Sequence, residues 1–353
     1  MIYNELYYSD LLKVQKAVPN LEALHDSKVL VTGAGGLIGS AIVDFLLSCN
    51  DACQLRNTIY IGARNFSKIQ KRFGKMLDRA DVCYFHYDAL QEIQTDTVFD
   101  YIIHAASPAN PTEYSKHPVE TMLANLRGLN NLLEYATSAK VKRVLYVSSS
   151  EVYGNKQSDQ PYSETDFGNL DILNPRASYP SAKRAAETMC AAYAQEYGVN
   201  TVIVRPGHIY GPTAIDEDTR ASSQFFRDVL NQQDIVMKSA GLQKRSYCYV
   251  LDCVSAIVTV LLNGRTADAY NVSNPCSVIT IRDLAEMIAR VGGRKVVFSC
   301  PSDQELRGYN LMQNSALTSQ KLQALGWNNT FDAEEGIVHT FEIMKKPMNS
   351  FTL

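Results

Sequence analysis

The run VLVTGAGGLIGSAIVDFLL, residues 29–47, constrains this chain more than any other stretch. An apolar, strand-like segment ends abruptly in Gly33, Gly36 and Gly39, spaced three residues apart, and the glycines open a segment with helical periodicity. A loop of this kind lets the backbone approach a pyrophosphate closely, and the following helix start supplies unpaired N–H groups and a favourable dipole. A tight turn alone needs glycine too. The strand before and the helix after supply the context that a dinucleotide-binding turn requires, with Gly33, Gly36, Leu37, Ile38 and Gly39 as its contacts.

The rest of the chain keeps the same rhythm. Apolar strands are expected at 28–32, 58–62, 82–87, 100–104, 142–148 and 200–205, separated by helical patterns, of which those at 113–138 and 179–197 are the longest. Such alternation predicts an α/β fold, a Rossmann-type doubly wound parallel sheet, followed by a smaller C-terminal α/β substrate-binding domain. The expected division is an N-terminal extension at 1–27, a dinucleotide-binding domain at 28–205 and a mainly substrate-binding domain at 206–353, with some segments returning to the first. The extension should form a short helix and a polar connector, Pro19 to Ser27, whose role the sequence leaves open.

Composition excludes several classes of function. The 34 basic and 37 acidic side chains leave a net charge of −3, too small a bias for nucleic acid or an anionic membrane. The eight cysteines include no CxxC pair and no histidines at metal-ligand spacing, so they read as reduced, mostly buried thiols with no metal site. The N-terminus lacks the layout of a signal peptide, and glycines and polar residues interrupt the longest apolar run, so no membrane span is expected. A soluble, cytoplasmic protein is the resulting expectation.

The second strand, TIYIGARNF, ends in Arg64 where an acid usually receives the adenosine ribose. Arg64, with Lys68, Lys71 and Arg72 soon after, could hold the 2′-phosphate of NADP or stack on adenine, or could belong to a solvated helix face. Asp88 in FHYDAL could meet the adenine amino group or merely form a turn. In SYPSAKRAAE, Tyr179 and Lys183 stand one helical turn apart and share a face. A nearby ammonium and a cationic nicotinamide would favour the phenolate, making Tyr179 a base for a carbinol, with Ser149 of the preceding VSSS bonded to the same hydroxyl. His104 in YIIHAAS reads as a bonded strand-end histidine rather than a base.

Together TGAGGLIG, HAAS, SSSEVYG, SYPSAK and RPGHIYGP resemble the extended short-chain dehydrogenase/reductase family (NAD-dependent epimerase/dehydratase), from about Lys28 to Trp327. Within it the chain is most similar to the UDP-glucuronate decarboxylases, also called UDP-xylose synthases, through the segment beginning HAASPANPTEYSKHP and through NPRASYPSAKRAAETMC and KRSYCYVLD. The resemblance implies an enzyme acting on a nucleotide-diphosphate sugar. Tyr179 would take the C4 hydroxyl proton as hydride passes to the nicotinamide, Lys183 would hold the cofactor ribose, and Ser149 would fill the Ser/Thr position. The 4-ketone makes the C6 carboxylate a β-keto acid, which loses carbon dioxide before hydride returns. Glu151 would lie beside C5 and C6, with Arg245 on the far side of the ring.

The resemblance further implies Asn65, Ala105, Ala106, Ser107, Asn125 and Pro206 as cofactor contacts, and Ser107, Pro108, Ser150, His208 and Arg307 as substrate contacts. The cofactor is NAD if the chain is a decarboxylase, while Arg64 leaves NADP open. Ser150 stands where sugar-nucleotide 4,6-dehydratases carry an aspartate, so elimination lacks its acid. His208 replaces the usual asparagine, and Leu317 the aspartate that usually opens a helix. A homodimer through a four-helix bundle, built from 113–138 and 179–197, is the expected assembly, although the same faces would suit burial in a monomer. Competing readings are an NADPH-dependent 4-keto-sugar reductase, a 4-epimerase or 4,6-dehydratase, and a catalytically dead cofactor-binding regulatory protein.

Overall fold

Seven parallel strands form the central sheet of the computed structural model, which describes residues 4–107, 111–156, 158–300 and 312–345. They are β1 (Lys28–Thr32), β2 (Thr58–Ala63), β3 (Val82–His86), β4 (Tyr101–His104), β5 (Arg143–Val147), β6 (Thr201–Pro206) and β10 (Asp268–Val272), in the order β10-β6-β5-β4-β1-β2-β3. The order reverses between β1 and β4, the switch point at which such sheets open a crevice. Register sharpens this. Thr32 lies opposite both Gly62 and His104, and His104 opposite Tyr146, so β1, β4 and β5 end level and their loops share one edge.

Strand alternation decides which layer each residue joins. Val29 and Val31 pack into the core with α2 (Leu37–Cys53) and α8 (Val250–Asn263), whereas Leu30 faces the core with α5 (Pro118–Ala139) and α6 (Ser178–Tyr197). Helix α2 is buried over most of its surface because α1 (Glu5–Gln15) covers it from outside. The N-terminal extension is thus a short helix, as the sequence suggests, followed by a 3-10 turn at Leu21–Leu24. After β2 comes α3 (Phe66–Phe73).

The long helix expected at 113–138 is instead two helices, α4 (Pro111–Lys116) and α5. Pro118 explains the break: it has no N–H to continue a helix and forces His117 out of helical geometry, at φ −127° and ψ 61°. Helix α6 runs where the periodicity put it and stops at Gly198, whose φ of 70° is the left-handed cap.

Beyond β6, the chain builds a three-stranded sheet, β7 (His208–Tyr210), β9 (Lys244–Tyr249) and β11 (Val278–Thr280), and a pair, β8 (Ile235–Met237) with β12 (Val296–Phe298). Helices α7 (Ala221–Leu230), α9 (Ile281–Val291), α10 (Gln320–Gln323) and α11 (Ala333–Lys345) complete this part, while β10 returns to the large sheet beside β6. All eight cysteines are free, but only Cys49, Cys190, Cys248 and Cys253 are buried, fewer than expected. Among the described residues no helix is long and apolar enough to cross a membrane, and no cluster could hold a metal ion.

Candidate active site

The glycine turn after β1 is built for close approach. Gly33 has φ of +69°, and a Cβ on it would stand 2.6 Å from the Ala105 carbonyl oxygen; a Cβ on Gly39 would overlap the Gly33 carbonyl. Gly36 caps α2 with nothing but backbone, so the first-turn N–H groups of that helix are open to an anion. This cradle fits a dinucleotide pyrophosphate. Around the adenosine end, Lys68 pairs with Glu217 at 3.8 Å, Lys71 with Asp216 at 3.6 Å, and Arg72 with buried Asp44 at 2.6 Å. Arg64 alone of these four cations is exposed with no carboxylate partner among the described residues.

Ser149, just beyond β5, caps a 3-10 turn over Ser150–Tyr153, its Oγ accepting from the Glu151 N–H at 3.2 Å. Across from it, the first turns of α6 present Lys183 and Tyr179, whose hydroxyl lies near enough to the Ser149 side chain to be influenced by it. Lys183 Nζ donates to the Val147 carbonyl at 2.8 Å and lies 5.7 Å from the centre of the Tyr179 ring. Burial pushes the Lys183 ammonium down to about 7, against the opposing pull of Glu187. It also pushes the Tyr179 phenol up, while the nearby Ser149 hydroxyl acts to lower it, the charge of Glu151 to raise it and that of Arg220 to lower it. In the protein alone, then, burial outweighs the activation expected from a neighbouring ammonium, and a positive charge from a bound cofactor would have to reverse it.

Glu151 is held from two sides. Arg176 Nη1 donates to its Oε2 at 3.1 Å and Nη2 to its Oε1 at 3.3 Å, and the Tyr114 hydroxyl donates to Oε1 at 3.2 Å. Tyr114 stacks on Tyr179, ring centres 5.0 Å apart and planes 10° from parallel. Arg245 lies on β9, which is the middle strand of its sheet rather than an edge, and is 3% exposed. Its Nη1 donates to the Lys244 carbonyl at 2.8 Å, and no carboxylate among the described residues bonds it. Burial lowers its pKa, with the charges of Tyr247 and Glu151 opposing. Nearby, His208 packs edge-on against Tyr247, its Nδ1 without a hydrogen-bond partner among the described residues; burial and the adjacent Arg245 and Arg220 push its pKa down to about 3, so it stays neutral.

One cavity of about 1550 Å³ gathers these groups. Gly33, Gly36, Leu37, Ile38, Gly39, Ala105, Ser107 and Pro206 line it with Ser149, Ser150, Glu151, Tyr179, Lys183, His208 and Arg245. Other candidates do not line it. Asn65 spends its side chain capping α3 at Lys68, Asp88 accepts from the Leu90 N–H in a turn, and Asn125 accepts from the Ser107 hydroxyl at 2.9 Å. Arg64 and Ala106 also lie off the lining. Pro108 and Arg307 fall outside the described residues. His104 sits behind the site, bonded through Nδ1 to Thr32 at 2.7 Å and pushed down to about 3 by burial and Lys183, so it is no base.

Sequence reasoning missed Tyr114, Arg176, Asp218 and Arg220. Arg220 lines the same cavity and pairs with buried Asp218 through Nε at 2.9 Å. The only signal for Arg176 was its place three residues before Tyr179, in the turn that feeds α6.

With this geometry established, the comparisons place the chain. It belongs to the NAD dependent epimerase/dehydratase family, whose model matches residues 29–273. Among its relatives is UDP-glucuronic acid decarboxylase 1 of Xenopus tropicalis, 28% identical over 323 residues, covering 91% of this chain and 73% of that protein. UDP-glucuronic acid decarboxylase 3 of Arabidopsis thaliana is 28% identical over 340 residues, covering 93% and 94%. The fold matches the UDP-glucuronic acid 4-epimerase of Bacillus cereus, solved with UDP-glucuronic acid and NAD, at a TM-score of 0.75 and 21% identity over 90% of this chain and 99% of that one. The UDP-glucose 4-epimerase of Thermotoga maritima, solved with UDP-glucose, matches at 0.74 and 22% identity, covering 89% and 97%.

Proposed function

We propose that this chain is a UDP-glucuronate decarboxylase that works through a transient 4-keto sugar. The observation that carries the reading is the shared cavity: Ser149, Tyr179 and Lys183 lie beside the glycine cradle, and Glu151 and Arg245, which has no acid partner among the described residues, line the same space. Bound NAD would supply reversible hydride transfer at C4. Tyr179 takes the C4 hydroxyl proton, Ser149 holds that oxygen by a hydrogen bond, and Lys183 reaches the cofactor ribose. Arg245 pairs with the C6 carboxylate and orients it. As the C5–C6 bond breaks and carbon dioxide leaves, the electron pair passes into the 4-ketone as an enolate, and C5 takes a proton from water. Tyr179 returns its proton to the C4 oxygen when C4 is reduced again. Ser150 offers no acid for elimination, which disfavours a 4,6-dehydratase.

NAD rather than NADP suits the adenosine end, since Lys68, Lys71 and Arg72 are already engaged by Glu217, Asp216 and Asp44. Exposed Arg64, with no carboxylate partner among the described residues, is the one observation that favours the second reading, an NADPH-dependent 4-keto-sugar reductase. Residues 28–205 would carry the cofactor and 206–353 mainly the sugar nucleotide. Helices α5 and α6 would pair with a second copy through an outer face that includes Val119, Met122 and Tyr197, all exposed. A cytoplasmic location accords with this chemistry.

Incubation with UDP-glucuronate tests the reading. Release of carbon dioxide with formation of a UDP-pentose, and no net change in NAD, is the expected result. No carbon dioxide, with NADPH consumed on a 4-keto-sugar nucleotide, would replace it with the reductase.

A further inference from the structure

We infer that Arg176 is the counter-ion that holds Glu151 away from Arg245 and so leaves Arg245 free to receive a substrate carboxylate; the inference rests on the decarboxylase reading above. A carboxylate offers about four acceptor positions. Three on Glu151 are taken, two by the Arg176 fork and one by the Tyr114 hydroxyl. The clamp is itself fixed: Arg176 Nη2 also donates to the Tyr114 oxygen at 3.3 Å, and Tyr114 lies flat against Tyr179. The Arg176 N–H is bonded to Asn174 Oδ1 at 3.0 Å in the turn that launches α6, so one short segment positions both the clamp and the catalytic tyrosine.

The charges explain why such a clamp is needed. Glu151 is close enough to act electrostatically on Arg245. Two guanidinium groups and one carboxylate leave this part of the cavity with one positive charge in excess, which a single anionic substituent would balance. Without Arg176, Glu151 and Arg245 would neutralise each other. An incoming carboxylate would then have to displace Glu151 from Arg245 while meeting its bare charge, a poor exchange in a half-buried site. Arg176 therefore acts through Glu151 as a positioning residue, and its signature is discrimination between a charged and an uncharged sugar.

Calorimetric titration of the full chain with UDP-glucuronate and with UDP-glucose separates this from a structural role, because the two ligands share a nucleotide and differ in the carboxylate. Arg176→Met should weaken UDP-glucuronate about tenfold or more and leave UDP-glucose within about twofold. Arg176→Lys should restore most of the preference. The double variant Arg176→Met/Glu151→Gln should recover uronate affinity without recovering turnover. Equal weakening of both ligands, or a double variant that binds the uronate no better than Arg176→Met, would overturn the inference. Should Arg176→Met fail to fold, Glu151→Gln alone decides: it should bind the uronate as tightly as the wild type or more so, and weaker binding refutes the charge argument. The reaction and the inference fail separately. A wild type that prefers the uronate but releases no carbon dioxide loses the decarboxylase assignment only, whereas one that releases it yet binds both ligands alike loses the role given to Arg176.

Discussion

Arg205 on β6 and Arg245 on β9 are both buried, at 7% and 3% exposure, yet their surroundings differ completely. Arg205 is bonded to both oxygens of Glu187, to the Tyr153 hydroxyl at 2.9 Å and to the Glu164 carbonyl at 2.9 Å. Arg245 has a neighbouring carbonyl and no acid among the described residues. The contrast extends to the regions they occupy. Behind the cleft, Arg205 and Glu187 tie the frame together, and Glu187 accepts from the hydroxyl of Ser148, next to Ser149. On the far wall of the cleft, His208 Nδ1, Gln243 Oε1 and Ser315 Oγ are buried without partners among the described residues, as Arg245 is without an acid there. Buried polar groups are normally bonded, so a cleft wall with several that are not is shaped to be completed by a ligand. One region holds the fold, and the other is poised for binding.

The hardest break is at the wall that carries Tyr179. Tyr179→Phe should cut turnover on UDP-glucuronate by about 10³-fold, within the span of general acid–base effects, while substrate affinity measured by titration barely moves. The two arginines then give opposite signs. Arg205→Met strands the Glu187 carboxylate and should cost about 3–5 kcal/mol in a urea melt. Arg245→Met removes a buried cation that has no acid partner among the described residues, so stability should hold or rise, whereas UDP-glucuronate binding should fall about 10- to 100-fold.

Lys183 sharpens the comparison through pH. Its folded pKa of about 7 lies below its ordinary 10.5, so between these values the unfolded chain keeps a proton that the folded one has lost. Stability of the cofactor-free protein should therefore climb as pH rises from about 7 towards 10, and Lys183→Met should flatten that climb in melts run across the range. Smallest of all, Arg64→Ala should change the NAD content of purified protein by less than about twofold, since exposed charges contribute little. A large loss would show that Arg64 holds the cofactor after all.

What could be read in advance was what depends on neighbours along the chain. The glycine spacing, the strand rhythm and the Tyr179–Lys183 turn are local, and all three reappear in the fold. Pro118 is equally local, and its missing N–H outweighs the helical periodicity that runs across it. The rest depends on contacts that sequence distance hides. Arg176 meets Glu151 across 25 residues and Tyr114 across 62, and nothing in SYPSAK points to either partner. Asn65 and Asp88 were legible as residue types but not as choices, because a side chain that can meet adenine can as readily cap its own helix or turn.

The opening helix has a practical meaning of its own. Tyr7 donates to Asp44 of α2 at 3.0 Å, and Asp10, fully buried, accepts from Tyr249 at 3.1 Å and lies 2.9 Å from His339 of α11. The first turns of the chain therefore act as a rivet between its beginning, middle and end. Trimming them to reach the first strand would strip the outer wall from α2, remove buried Tyr7 and leave Tyr249 and His339 without the carboxylate they share.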